Sequence, residues 1–250
     1  MNLDRIIAVR TNKTIYRDGT RCLKVFNEDF TKADVLNEAL NQARVEETGL
    51  RIPAILEVTQ IDGKWTIISE YIKGKTITQL AHEQPERTDE YLHMLVDLQI
   101  GIHERTCREL TSLRESIRLK ICMTDLTATI RYSLHSRLEE MPRHSNICHG
   151  DFYPTNVIIM EDGTPCIIDW SHVSQGNPAA DVAHTYLMLR FHSGEIPFDA
   201  EKYLSLYCQK TGTDPEEVRR WLPIAAADAL PDSNAERRAF LYPFIDRTLA

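Results

Sequence analysis

The chain has 250 residues, 42% apolar and 26% charged, an ordinary balance for a soluble globular protein with room for one large domain or two modest lobes. The formal net charge of −8 is spread over interspersed acids and bases, which argues against nucleic acid as the main partner, because phosphate binding wants a concentrated basic face. Six scattered cysteines without C-x-x-C or zinc-like spacing point to a reducing cytosol, and neither a signal-peptide pattern nor an apolar run near the ~18 residues of a membrane span is present.

The first seventy residues read as strands around one helix. Ile6-Ile7-Ala8-Val9 and Thr14-Ile15-Tyr16 are short β-rich runs, and Asp18-Gly19 turns the second into Arg21-Cys22-Leu23-Lys24-Val25-Phe26. A helix begins at Thr31 or Asp34 and runs to about Glu47, with Gly49 as its stop. A further strand covers residues 54–60, and Asp62-Gly63 turns it into another, residues 65–71.

After Lys73-Gly74-Lys75 the texture changes. From Thr76 to about Glu140 the apolar residues mostly follow helical spacing, as in Tyr91, Leu92, Leu95, Leu98, Gln99 and Ile102, a stripe that reads as core. Asn146-Ile147-Cys148 and a polar loop then lead into a small hairpin, Val157-Ile158-Ile159-Met160, Glu161-Asp162-Gly163 and Cys166-Ile167-Ile168-Asp169. Helices resume near Pro178 and continue to the end. The expected plan is α+β and bilobal: a small antiparallel-sheet lobe with one helix over residues 1–72, ending in a hinge near residues 69–74, and a larger helical lobe over 73–250 that contains the hairpin.

The densest chemistry lies in His149-Gly150-Asp151-Phe152-Tyr153-Pro154-Thr155-Asn156-Val157, followed by Ile167-Ile168-Asp169-Trp170. A hairpin brings its ends together, so Asn156 before one strand and Asp169 after its partner become neighbours. A carboxylate and an amide oxygen side by side are hard ligands suited to Mg²⁺. Asp151, at the start of the loop, stands where it can orient an attacking hydroxyl or accept its proton.

The two segments resemble the aminoglycoside phosphotransferase and choline kinase group of kinase-like enzymes, whose mark is H-G-D-x-x-x-x-N followed by a hydrophobic strand ending in I-D-W. Protein kinases carry H-R-D-x-x-x-x-N and D-F-G in the same places. Gly150 and Trp170 favour the small-molecule branch. The resemblance implies a bilobal protein-kinase-like fold, ATP and Mg²⁺ as cofactors, Asp151 as the catalytic carboxylate, and Asn156 and Asp169 as metal ligands. It further implies Lys24 on the α- and β-phosphates, Glu38 as its ion-pair partner, and a hinge at Ser69-Glu70-Tyr71 whose Ser69 carbonyl and Tyr71 amide meet adenine. Asn177-Pro178-Ala179-Ala180-Asp181 matches the stretch whose aspartate braces the catalytic loop, and His149 is expected to shape that loop rather than to act as a base. The agreement covers about residues 3 to 190, with one departure. The turn expected over the phosphates, Ala8 to Lys13, has no glycine, which leaves Thr11 or Asn12 to reach phosphate through a side chain.

The implied activity is transfer of the γ-phosphate of ATP to a hydroxyl of a small molecule. The alternatives are a protein kinase of the same fold, which the short stretch from Asp169 to Asp181 disfavours, and a catalytically silent nucleotide-binding regulator, from which one of the key residues would be missing. The net charge of −8 leans towards a cationic acceptor, with Glu195, Asp199, Glu201, Asp228 and Asp232 as candidate contacts. No membrane or nucleic acid is expected as partner, and nothing in the chain sets an oligomeric state.

Overall fold

A computed structural model describes residues 5–10 and 12–246. In chain order the strands and helices are β1 (Ile6–Val9), β2 (Lys13–Asp18), β3 (Arg21–Phe26), α1 (Lys32–Glu46), β4 (Ile55–Ile61), β5 (Lys64–Glu70), β6 (Gly74–Thr76), α2 (Ile77–Glu83) and α3 (Thr88–His103). They continue with α4 (Leu113–Met123), α5 (Ala128–Glu140), β7 (Asn146–Cys148), β8 (Val157–Met160), β9 (Pro165–Ile167) and β10 (Ser174–Gly176). Four helices follow: α6 (Pro178–Phe191), α7 (Ala200–Thr211), α8 (Pro215–Ala229) and α9 (Ala235–Asp246). Among the described residues no helix is long and apolar enough to cross a membrane.

Two compact units result, Met1–Ile77 with Thr155–Ser171, and Thr78–Pro154 with His172–Ala250. The expected division at residue 72 had the hairpin in the helical lobe. The structure groups β8 and β9 with the first unit instead. The reason is pairing: β6 lies antiparallel to β8, with Lys75 opposite Ile159, and makes a three-stranded sheet in the order β6-β8-β9.

In the first unit an antiparallel sheet runs in the order β1-β2-β3-β5-β4. Alternation along β3 sorts its side chains by face, as a pleated strand requires. Leu23 and Val25 pack with Ile68, while Phe26 joins Ile67, Val35 and Ala39 beneath α1. Lys24 shares the Phe26 face, which directs it towards α1. Thr31 caps that helix: its side chain accepts from the Asp34 amide at 3.2 Å, and the Asp34 carboxylate accepts from the Thr31 amide at 3.0 Å.

The second unit is helical. The predicted stripe on α3 is buried except for the half-buried Leu98, and beside Gln99 it carries a second buried polar residue, His103, one turn on. α6 is buried on nearly all sides, from Ala179 to Leu189. One small sheet was not foreseen: β10 pairs antiparallel with β7, Gln175 opposite Ile147. Gly176 ends that strand against α4, where an added Cβ would lie 2.6 Å from the Cβ of Leu113. We expect Gly176→Ala to destabilise the protein by about 1–3 kcal/mol through overpacking, read as a lower denaturation midpoint. An unchanged midpoint would show that α4 yields freely.

Candidate active site

The first unit gathers a charged cluster on its own elements. Lys24 Nζ donates to Glu38 Oε1 at 2.7 Å and to Asp169 Oδ1 at 3.0 Å. The face of β3 brings Lys24 to α1, and the end of the β8–β9 hairpin brings Asp169 to the same ammonium. A second lysine joins them: Lys13 Nζ lies 3.2 Å from Asp169 Oδ1. Sequence reading assigned Lys13 only to a turn. The signal was present in the register, since Ile15 faces Lys24 and Lys13 is two residues before Ile15 on the same face. Thr11, expected at the phosphates, lies outside the described residues.

The hairpin closes as anticipated, with the Ile168 amide on the Asn156 carbonyl at 2.9 Å and Asp169 following directly. Asp169 adopts a left-handed conformation, φ 61°, which an aspartate tolerates better than most residues and which re-aims its side chain away from the strand. Burial opposes ionisation of Asp169, yet Lys24 and Lys13 outweigh it and hold the carboxyl well below the usual range. Lys24 is raised in turn: desolvation works against its charge, and Asp169 and Glu38 overcome it. Lys13 moves down, first through desolvation and then through repulsion from Lys24.

These residues fit a magnesium ion. Among the described residues, the hydrogen bonds that Asp169 receives, from Lys13, Lys24 and the Ser171 hydroxyl, converge on Oδ1 rather than Oδ2. Among the described residues no cluster of three or more His, Cys, Asp or Glu forms a closed metal cage. Mg²⁺ characteristically takes one or two protein oxygens and completes its shell with water and phosphate, so the donor set of a carboxylate and an amide oxygen, as in Asp169 and Asn156, fits its chemistry.

The hinge differs from expectation at one atom. The Tyr71 amide, assigned to adenine, donates to the Thr20 carbonyl at 2.8 Å, because the chain leaving β5 still pairs with the β2–β3 turn. Ser69 lies within β5 opposite Cys22, and the Tyr71 ring carries the Arg17 guanidinium 4.2 Å above its centre.

In the second unit Asp181 organises the loop that carries Asp151. Its Oδ1 accepts from the Gly150 amide at 2.7 Å, and its Oδ2 accepts from the His149 amide at 3.2 Å and from His103 Nε2 at 3.0 Å. Burial would raise Asp181, but the His103 hydrogen bond and the neighbouring imidazoles hold it well below the usual range. Gln99 extends the network to Thr185, whose hydroxyl donates to the Phe152 carbonyl at 3.0 Å, and Tyr207 bonds His103 at 2.8 Å. His149 is fully buried, and its Nδ1 accepts the Asp151 amide at 3.2 Å, so it shapes the loop as expected. Gly150 has φ 79°, and a Cβ there would meet the His172 carbonyl at 2.4 Å, which explains a glycine in this place. Arg237 on α9 was not singled out from sequence. Burial depresses it, while the Asp151 and Asp232 carboxylates oppose that depression.

His184, on α6, has its Nδ1 sealed from solvent, and burial pushes the imidazole down to about 3 from its ordinary 6.5. The unfolded chain therefore binds this proton first. Its contribution to stability is complete above about pH 6.5 and is lost as pH falls towards about 3. Asp228, pushed up by burial, acts in the opposite sense. Thermal melts from about pH 7 to about pH 4 should show a smaller acid-induced loss in His184→Gln than in the wild type. Identical slopes would mean that His184 does not titrate this way.

A sequence profile of the phosphotransferase enzyme family matches residues 5–221. No curated protein sequence gives a significant match. Among solved structures, a thermostable mutant of aminoglycoside phosphotransferase APH(4)-Ia, in ternary complex with AMP-PNP and hygromycin B, is similar at 17% identity, with 97% of this chain and 91% of that one covered and a TM-score of 0.66. Choline kinase LicA from Streptococcus pneumoniae gives 17% identity, coverages of 100% and 93%, and a TM-score of 0.64. An aminoglycoside-3'-phosphotransferase of type VIII gives 18%, 98% and 93%, and 0.64. The fold is thus kinase-like, as the motif implied. The chain belongs to the phosphotransferase enzyme family.

Proposed function

We propose that the protein transfers the γ-phosphoryl group of ATP to a hydroxyl of a small acceptor. The observation that carries this reading is the Lys24–Glu38–Asp169 cluster, which assembles within the first unit. Similar structures hold AMP-PNP, ADP or AMP, which supports an adenine nucleotide as donor.

Each residue has a definable task. Lys24 holds the α- and β-phosphates, and Glu38 fixes the ammonium at 2.7 Å so that it does not swing into solvent. Asp169 and Asn156 would hold Mg²⁺, which when bound neutralises charge on the phosphates. Lys13 leaves Asp169 for the nucleotide phosphates. The acceptor oxygen forms a bond to the γ-phosphorus as the bond from that phosphorus to the bridging oxygen of ADP breaks, and the hydroxyl proton passes to the Asp151 carboxylate. Asp181 acts through the Gly150 and His149 amides, keeping Asp151 in one position. Of the two adenine contacts expected at the hinge, the Tyr71 amide is already engaged by the Thr20 carbonyl, and Ser69 lies in the strand ladder opposite Cys22.

On the acceptor side, one similar structure contains hygromycin B and another is a choline kinase, which supports a hydroxylated small molecule. The net charge of −8 leans towards a cation. Of the acidic candidates, Asp199 caps α7, Glu201 accepts from the Tyr186 hydroxyl, Glu195 meets His192, and Asp228 and Asp232 face Lys120. Local charge therefore supports this preference only weakly. Six free cysteines fit a reducing cytosol as the working compartment.

The test is acceptor-dependent ADP release with Mg²⁺ and ATP over aminoglycosides, amino alcohols, neutral sugars and anionic metabolites. Asp151→Asn should lower the rate by ~10²–10⁴ while leaving nucleotide affinity within a few-fold. Full activity in that variant would remove Asp151 from the reaction.

A further inference from the structure

Among the described residues, five buried side-chain polar atoms have no hydrogen-bond partner, and three of the five, His184 Nδ1, Trp221 Nε1 and Asp228 Oδ1, belong to residues that line one cavity. The cavity has a volume of about 30 Å³ and an apolar wall of Leu113, Ile117 and Ala225. Buried polar groups are rarely left unsatisfied, so three in one small space describe the complement of something that belongs there. Trp221 is only 2% exposed, and its position on α8 is held by packing, which makes its unpaired N–H a fixed feature of the site.

The three groups define the occupant. Indole N–H donates only, and an ionised carboxylate accepts only. His184 is kept neutral by its burial, so Nδ1 carries either a proton or a lone pair. A hydroxyl has one hydrogen to give to Asp228 Oδ1 and two lone pairs to take the Trp221 and His184 N–H bonds, and so it satisfies all three. An ammonium offers no acceptor to Trp221. A carboxylate has no donor for Asp228. Charge agrees, because Lys120 already lies 3.6 Å from Asp228 Oδ2, which leaves little attraction for a cation. The volume takes one or two water-sized groups, or about a hydroxymethyl arm.

The cavity also touches Gly150, the residue before Asp151. We propose that it is a subsite for a second, neutral hydroxyl group of the acceptor, so that the substrate is a polyol or a sugar with a free hydroxyl beside the one phosphorylated. This rests on the phosphotransferase reading above for its meaning in catalysis, but the site itself can be probed without turnover. A hydroxyl entering it displaces water and returns the same hydrogen bonds.

Indole N–H resonances of tryptophan-labelled protein give the readout. Trp170 Nε1 donates to the Ile167 carbonyl at 2.9 Å and serves as an internal control, and Trp221→Phe assigns the Trp221 signal. Titration with glycerol should shift the Trp221 signal saturably, and tetramethylammonium and acetate should leave it in place. Asp228→Leu, which retains the indole, should abolish the glycerol response. With any acceptor that supports ADP release, Trp221→Phe should raise KM roughly fivefold to tenfold with little change in kcat. No saturable shift with glycerol would mean that the cavity holds water alone, and a response to tetramethylammonium would mean a cation site. Either overturns the proposal and leaves ADP release unaffected. A glycerol shift in a protein that turns over no acceptor would instead retain the subsite and remove the phosphotransferase reading.

Discussion

The Asp169 carboxylate is the constraint on which the first unit depends. It sits at a left-handed backbone position at the end of a hairpin, and two lysines from different strands point at one of its oxygens. Two cations within reach of one carboxylate repel each other, and Glu38 offsets them from the other side. This arrangement favours the ionised form of Asp169 and the charged form of Lys24 against the cost of their burial. The sheet serves that purpose: strand alternation places Lys24 under α1, and the β6–β8 pairing ties the hairpin to the same unit.

The second unit solves a different problem, that of holding a loop rigid. A single buried carboxylate, Asp181, takes two loop amides and an imidazole, and each of these partners is fixed by another contact. Buried networks of this kind are costly when incomplete and stiff when complete. The three unpaired atoms around the cavity contrast with that completeness. They lie on α6 and α8, beside the network, and they mark a place where the unit leaves hydrogen bonds to be supplied from outside.

Much of this was legible in the chain. The Asp-Gly turns announced both hairpins of the sheet, Thr31 and Gly49 bounded α1, and H-G-D-x-x-x-x-N with I-D-W marked the loops. What escaped has physical reasons. β10 is three residues, Ser174-Gln175-Gly176, too short and polar to show alternation, and it exists because β7 offers it an edge. Lys13 needed the strand register before its side chain had a direction. Arg237 and the cavity groups come from helices distant in sequence, and helical periodicity says which face is buried but not which polar atoms meet there. The Tyr71 amide, expected at adenine, donates to the Thr20 carbonyl, a pairing that the motif alone does not reveal. The unit boundary moved for the same kind of reason, a tertiary strand pairing that propensity does not reveal.

The most direct test of the central claim is the linkage between magnesium and nucleotide at Asp169. Calorimetric titration of AMP-PNP, with and without Mg²⁺, into wild type and Asp169→Asn separates metal binding from turnover. If Asp169 exchanges its lysines for a metal ion, Mg²⁺ should tighten nucleotide binding to the wild type several-fold and do little for Asp169→Asn. Equal tightening in both proteins would contradict the account, because the metal would then be held without the carboxylate around which the first unit is built.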